Sequence, residues 1–527
     1  MEQTPFFEPN TSLDEVDTSA FRLPKRHDFD LVVIGSGPAG QKAAFTAADN
    51  GARVALIERD PLAGGVCLNT GTIPSKTLRE AVLYLTGYRQ RGYYGDDYRL
   101  KEKITASDLL SRTTYVIELE REVINESLAQ RGVTRLVGTG RIEGPNAVSV
   151  NIAGTRCLYT AGKIIVAVGT RPRRPAEVPF DNVNIFDSDA VFGTENDLRP
   201  LPDSIIVMGA GVIGIEYACM FQALGIPTTL VDPRENPLAF VDEDVSEILY
   251  THLRKSGAEL IFGDTHEGIQ ITGGETPTCR RRVRAALKSG RVLEADAMLF
   301  ALGRVPMSED VGSMQAGVKI DRRGNIAVDE NYVTSVPTIY AVGDVIGFPA
   351  LASTSAEQGR CAALHALGIP AQRHPESLPF GLYTIPEASM AGRTEQELRA
   401  AGIPYVAGTA IYLETARGKI LGDLTGALKL LFHRDDRRLL GVHVVGEGAT
   451  ELVHIGQAVI RFGGGLDYFL ETVFNYPTLA EAYKVAAHNA AARFAGHVDS
   501  MPPLHERAFQ AANAAEWAKW ALGAARK

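Results

Sequence analysis

Residues 28–58 read DFDLVVIGSGPAGQKAAFTAADNGARVALIE, and this stretch decides the fold. Leu31 to Ile34 are consecutive apolar residues that run straight into glycines. Such a run suits a strand buried on both faces, as in a parallel sheet. Gln41 to Asn50 is alanine-rich and helix-prone, Gly51 ends it, and ARVALIE is a second buried strand closing on Glu58. Strand, glycine-rich turn, helix, strand and acid make a βαβ unit. In the turn, Gly35 permits the tight bend, Gly37 lets a pyrophosphate approach the backbone, and Gly40 lets the helix pack on the strand. The helix N-terminus then offers free N–H groups and a partial positive charge to phosphates. Glu58, 23 residues after Gly35, is placed to accept hydrogen bonds from a ribose. A glycine-rich turn alone is a weak signal; the strand, helix and acid around it make a strong one.

The same order returns at residues 204–232, SIIVMGAGVIGIEYACMFQALGIPTTLVD. Its glycines are Gly209, Gly211 and Gly214, and Asp232 again follows the first by 23 residues. Two copies of one unit, each with its acid, imply two dinucleotide-binding folds. The acid at the second site favours NAD over NADP, because a carboxylate repels a 2′-phosphate. Arg234, two residues on, can either pair with such a phosphate or stand as a free surface arginine. The sequence leaves that choice open, as it would in an enzyme accepting both nucleotides.

The remainder of the 527-residue chain is too long for one core, and two to four domains are expected. Residues 102–131 read as a long amphipathic helix, 134–170 as short strands, and 279–303 as strand-rich. From Leu378 the texture changes. GALKLLFHRDDRRLLGVHVVGE alternates apolar and polar residues about a turn at Asp435–Arg438, an antiparallel hairpin. Helices are expected at 448–462, where His454 reads as a hydrogen-bonded structural residue, and at 479–495. A last helix carries Trp517, Trp520 and Leu522 as its apolar face. The expected fold class is therefore α/β, with two Rossmann-like dinucleotide-binding domains and a C-terminal α+β domain.

A net charge of −9 argues against a nucleic-acid partner without excluding anionic ligands. Cys67, Cys157, Cys219, Cys279 and Cys361 are scattered, with neither C-x-x-C nor zinc-like spacing, which suits reduced thiols in the cytoplasm and no metal. The acidic, proline-broken start MEQTPFFEPNTSLDEVD is no secretory signal, and no apolar run reaches membrane-spanning length.

Gly64-Gly65-Val66-Cys67-Leu68-Asn69-Thr70-Gly71-Thr72-Ile73-Pro74-Ser75-Lys76 resembles the active-site segment of the flavoprotein disulfide reductases, the group containing dihydrolipoamide dehydrogenase and glutathione reductase. Those relatives carry a second cysteine where this chain has Thr72, so their dithiol relay is absent. They also carry a histidine before a Pro-Thr pair; here that place holds Tyr476, in FNYPTLAE, with Glu481 retained. A phenol with a reference pKa of about 10 is a poor base near neutrality. Two linked losses point to an acceptor other than a disulfide. The combination resembles the soluble pyridine nucleotide transhydrogenase branch of these pyridine nucleotide-disulfide oxidoreductases. Resemblance runs from Asp28 to about residue 490, through KIIVAVGTRPRRP, FDSDA, ALGRVP, IYAVGDVIGFPALAS and YTIPEAS.

The resemblance implies FAD as cofactor, NAD and NADP as substrates, and ping-pong hydride transfer without a redox disulfide. It implies an FAD domain at 28–175 and 305–375, an NAD(P) domain at 176–304, and a dimerisation domain at 376–490. A leader (1–27) and a helical extension (491–527) are departures. By position, Lys76 and Glu216 resemble the catalytic ion pair beside the flavin. Gly343 and Asp344 of AVGDV resemble the segment that binds the flavin ribitol. Gly169 and Thr170 resemble the turn closing over FAD, with Gly303 and Arg304 as its counterpart. Gly65 and Cys67 lie against the cofactor, Cys67 as a small packing residue rather than a nucleophile. A homodimer or larger homo-oligomer is expected. A diaphorase reducing quinones, and a non-catalytic FAD/NAD-binding regulator, are the alternatives.

Overall fold

The computed structural model describes residues 27–95, 98–192, 201–274, 281–372, 378–497, 502–511 and 513. Most of the leader, Cys279 and the Trp517–Leu522 face lie outside them. Phe29–Ile34 is the central strand of the first sheet, parallel to Val54–Glu58 on one side and to Thr155–Val166 on the other. Its apolar run has no polar face because both faces are covered. Leu31 and Val33 pack with Ala39, Ala43 and Ala47 of helix Pro38–Asp49. Val32 and Ile34 pack instead with Ile142, Val148 and Val150 of the antiparallel strands Thr139–Gly144 and Ala147–Ile152.

This first sheet is closed by chain that returns from far downstream. Ile339–Ala341 pairs in parallel with Thr155–Val166. Helix Ala352–Ala366 then crosses Pro38–Asp49 so closely that a Cβ on Gly359 would stand 2.1 Å from the Ala39 carbonyl oxygen. The second unit lies between, as a parallel sheet ordered Glu259–Phe262, Thr228–Asp232, Ile205–Met208, Ala297–Phe300 and Ile185–Asp187. The two connecting segments, Thr170–Pro172 and Arg304–Pro306, pair with each other as an antiparallel ribbon.

The C-terminal domain is a five-stranded antiparallel sheet that contains the expected hairpin, Ala427–His433 with Leu439–Val445. Its alternation does not divide core from solvent. Lys429 and His443 are 1% and 0% exposed. Helices Ala449–Arg461 and Glu481–Phe494 cover one face. The second unit covers part of the other, and supplies carboxylates there. Lys429 Nζ donates to Asp242 Oδ1 and Asp244 Oδ2, each at 2.8 Å, and also bonds Glu395. The helical residues 504–511 dock on the same cluster through His505, whose Nδ1 lies 2.7 Å from Asp244 Oδ1. One apolar core runs through all three units, joining Leu78 and Val82 to Ile215 and Ala218 and to Ile385, Ala427 and Val445.

A buried cation among three acids predicts a large penalty for its removal. Lys429→Met should cost about 3–5 kcal/mol, read as a fall in unfolding temperature, because buried carboxylates lose their counter-charge. Burial alone would raise the Asp242 and Asp244 carboxyls, but Lys429 and His443 facing Asp242, and Lys429 facing Asp244, hold both below the usual range. Their stabilisation is therefore present above the unfolded-state value near pH ~4 and lost as pH falls below it. The variant's melting curve should show a weaker loss across that acid range than the parent's.

Candidate functional site

A cavity of about 1180 Å³ opens where the three units meet. Helices Pro38–Asp49, Val212–Ala223 and Ala352–Ala366 all begin on its wall, and none has a side-chain cap. Away from the cavity, Thr105, Asp242 and Thr394 cap their helices with side-chain oxygens. First-turn N–H groups left free at the cavity make it a site for anions despite the chain's negative charge.

Both glycine turns are built alike. Gly35 and Gly209 take φ of +106° and +111°, open to glycine and costly for other residues. A Cβ on Gly40 would stand 1.9 Å from the Gly35 oxygen, and one on Gly214 1.7 Å from the Gly209 oxygen, so helix and strand touch there. Gly37 has nothing within 4 Å of an added Cβ, and its open side faces the cavity. Gly65, in the redox-like segment, packs directly on the Gly37 backbone, 2.9 Å from where its Cβ would be.

The two acids differ. Glu58 Oε2 accepts from the Ser36 N–H at 2.9 Å and hydroxyl at 2.7 Å, and Oε1 from the Asp60 N–H at 3.1 Å. Glu58 lines the cavity. Asp232 is 0% exposed, and Arg234 grips it through Nε and a terminal nitrogen, each at 2.8 Å. In the ligand-free chain Arg234 is thus not a free surface arginine but a bidentate partner of the acid, on the cavity wall.

Lys76 and Glu216 come together from different units. Lys76 Nζ lies 2.6 Å from Glu216 Oε2, and Glu216 is 3% exposed. The other carboxylate oxygen accepts the backbone N–H of Tyr383, at 2.9 Å, from the C-terminal domain. Lys76 also stands 4.8 Å from the centre of the Tyr383 ring. All three residues line the cavity. Tyr383 sits in the quoted YTIPEAS segment, but its part here is played by a backbone N–H, which no side-chain pattern announces.

Cys67 and Thr72 lie on the same wall. Burial pushes the Cys67 thiol up, away from thiolate. None of the four described cysteines is in a disulfide. On the ribbon side, Arg304 donates to Thr170 Oγ1 at 2.8 Å and pairs with Asp189 at 3.0 Å, so the Gly169–Thr170 and Gly303–Arg304 turns sit side by side. Asp189 was not singled out from sequence. Gly343 donates its N–H to Gln358 at 2.7 Å, and burial pushes the neighbouring Asp344 carboxyl up despite Arg304, Ser355 and Thr170. Tyr476 is elsewhere, 75% exposed and off this cavity. Glu481 lines a separate small pocket with His488. His454 lies at the cavity edge, exposed, bonded to Gln457.

Residues 29–359 match the model of the pyridine nucleotide-disulphide oxidoreductases, and 378–487 that family's dimerisation domain. The chain is 49% identical over 462 residues to a soluble pyridine nucleotide transhydrogenase of Mycobacterium bovis, covering 87% of this chain and 96% of that one. A soluble pyridine nucleotide transhydrogenase of Marinomonas is 40% identical over 472 residues, covering 89% and 99%. The chain belongs to the pyridine nucleotide-disulphide oxidoreductase family. Among solved structures, LpdA of Mycobacterium tuberculosis superposes with a TM-score of 0.79 at 26% identity, covering 87% of this chain and 99% of that one. The flavoprotein disulfide reductase RclA of Escherichia coli gives 0.74 at 25%, covering 87% and 99%.

The residues of this family member fit a flavin dinucleotide. Gly37 leaves room for phosphates, and Glu58, with three donors on about four acceptor positions, has one left for a hydroxyl. Asp344 is a half-buried carboxyl on the cavity wall, suited to a polyol chain. Lys76→Met leaves Glu216 buried without its cation. The rate at which NADPH bleaches the flavin absorbance should fall by about 10²-fold or more, with flavin content measured alongside.

Proposed function

We propose that the chain is an FAD-dependent transhydrogenase that moves a hydride reversibly between NADPH and NAD+. The observation that carries this reading is Thr72 opposite Cys67: the segment that holds a redox disulfide in the reductases ends here in a hydroxyl. Beside the turn that suits the flavin nucleotide, one further nucleotide turn opens on the same cavity, so donor and acceptor nucleotides use it in succession. The names of the relatives agree. Bound FAD supplies the two-electron relay between the nucleotides.

The chain's own residues bind and orient. Glu58, the Gly37 turn and Asp344 hold the flavin nucleotide, and the helix behind Gly211 receives the phosphates of the substrate. Lys76 and Glu216, fixed as an ion pair, present paired charges that need no reorganisation as the reaction proceeds. NADPH plus NAD+ gives NADP+ plus NADH with no net proton, so no acid–base residue is required. Tyr476 in the place of a histidine costs such an enzyme nothing.

The dimerisation domain at 378–487 makes two copies the working unit. Among the described residues no helix is long and apolar enough to cross a membrane. We place the enzyme in the cytoplasm, in keeping with its scattered cysteines.

NADPH-dependent reduction of a thionicotinamide analogue of NAD+, followed beside quinone reduction, tests the proposal. Turnover of the analogue at rates matching or exceeding those with quinones is expected. Turnover of quinones alone would make the protein a diaphorase, and flavin that NADPH does not bleach would make it a regulator.

A further inference from the structure

One turn beyond Lys76 on the helix Thr72–Leu85 stands Arg79, buried between the first unit and the C-terminal domain. Its Nε donates to the Thr384 carbonyl oxygen at 2.9 Å, a contact across 305 residues of sequence. One terminal nitrogen bonds Glu80 Oε1 at 2.7 Å and lies 3.2 Å from Glu387 Oε1. Glu80 is half exposed while Glu387 is buried, so the pair with Glu387 is the one water cannot screen. The other oxygen of Glu387 accepts the Thr450 N–H at 3.2 Å and hydroxyl at 2.7 Å, at the start of helix Ala449–Arg461.

These bonds close a ring through the Lys76–Glu216 pair. Lys76 holds one oxygen of Glu216, and the Tyr383 N–H holds the other. The carbonyl of the next residue, Thr384, returns to Arg79, three residues from Lys76 on the same helix. Thr384 is wholly buried, so without Arg79 its carbonyl has no water to turn to. The Tyr383 ring also stands against Lys76, 4.8 Å from Nζ to the ring centre. A shift of the 383–387 segment therefore disturbs Lys76 and Glu216 together. Geometry at a reacting centre is steep, and a displacement of about 1 Å can cost ~10²-fold in rate.

We propose that Arg79 is a positioning residue for the Lys76–Glu216 pair, holding the Tyr383–Thr384 backbone where the Tyr383 N–H fixes the second oxygen of Glu216. The guanidinium suits this because its planar fork serves two acceptors at once, the Thr384 carbonyl and the Glu387 carboxylate. A lysine at this place meets the charge of Glu387 and leaves the carbonyl loose. Arg79 does not line the cavity, so its effect reaches a bound nucleotide only through the pair. This role rests on the transhydrogenase reading, in which the hydride passes beside Lys76 and Glu216.

The test combines amide exchange with single-turnover kinetics on the flavin-loaded full-length protein. In Arg79→Lys, hydrogen–deuterium exchange of the peptide covering 380–387 should quicken by ~10-fold or more, because the Tyr383 amide is no longer held. Bleaching of the flavin at saturating NADPH should slow by ~10-fold. The NADPH concentration giving half the limiting rate should stay within ~2-fold of the parent's. In a Lys76→Met background the same substitution should slow bleaching by less than ~2-fold, because the two residues act as one unit. If Arg79→Lys fails to retain flavin, Arg79→Met combined with Glu387→Gln, which leaves no buried charge unpaired, is measured in its place with the same expectations. Bleaching at the parent's rate overturns the positioning role and leaves the pair's role intact. A full ~10-fold slowing repeated in the Lys76→Met background also overturns it, since Arg79 would then act independently of the pair. Lys76→Met protein that bleaches as fast as the parent overturns the pair's part in hydride transfer, and that of Arg79 with it.

Discussion

A carboxylate that is 3% exposed must be paired, and Glu216 finds its partners in two other parts of the molecule. Lys76 reaches it from the helix Thr72–Leu85 of the first unit, and the Tyr383 N–H from the end of strand Pro379–Leu382. Losing either would strand a buried charge, at a cost of several kcal/mol. The apolar core behind this contact is continuous through the same three units. The cavity walls therefore cannot drift apart without unpairing Glu216.

Around that fixed point the chain arranges charge economically. Its net charge is −9, yet helix N-termini open on the cavity with their N–H groups uncapped. The reductive machinery of the disulfide relatives is dismantled locally and conservatively. Thr72 stands on the cavity wall with Cys67, in the place of the second sulfur, so the dithiol is lost while the wall is kept. Burial pushes the Cys67 thiol up, which disfavours a thiolate nucleophile there as well.

The fold was legible because buried parallel strands leave unbroken apolar runs, and Leu31–Ile34 and Ile205–Met208 are such runs. The glycine turns were legible because Gly40 and Gly214 stand where no Cβ fits. Lys76 and Glu216 came from motif resemblance, and their contact, between residues 140 apart, is long-range information. Three features were hidden. The Tyr383 contact is made by backbone. The Arg234 grip on Asp232 depends on side-chain direction, which spacing does not encode. The alternation in the hairpin reads as a sheet facing solvent, yet Lys429 and His443 face carboxylates brought by another unit.

The account stands or falls on whether hydride passes between nicotinamides with no sulfur in the path. Anaerobic stopped-flow on a Cys67→Ser variant measures this directly, bleaching the flavin with one equivalent of NADPH and then adding NAD+. The account predicts that the yellow absorbance disappears and returns with rates close to the parent's, NADH appearing in step with recovery. Bleaching that NAD+ fails to reverse in the variant, while the parent recovers, would contradict it.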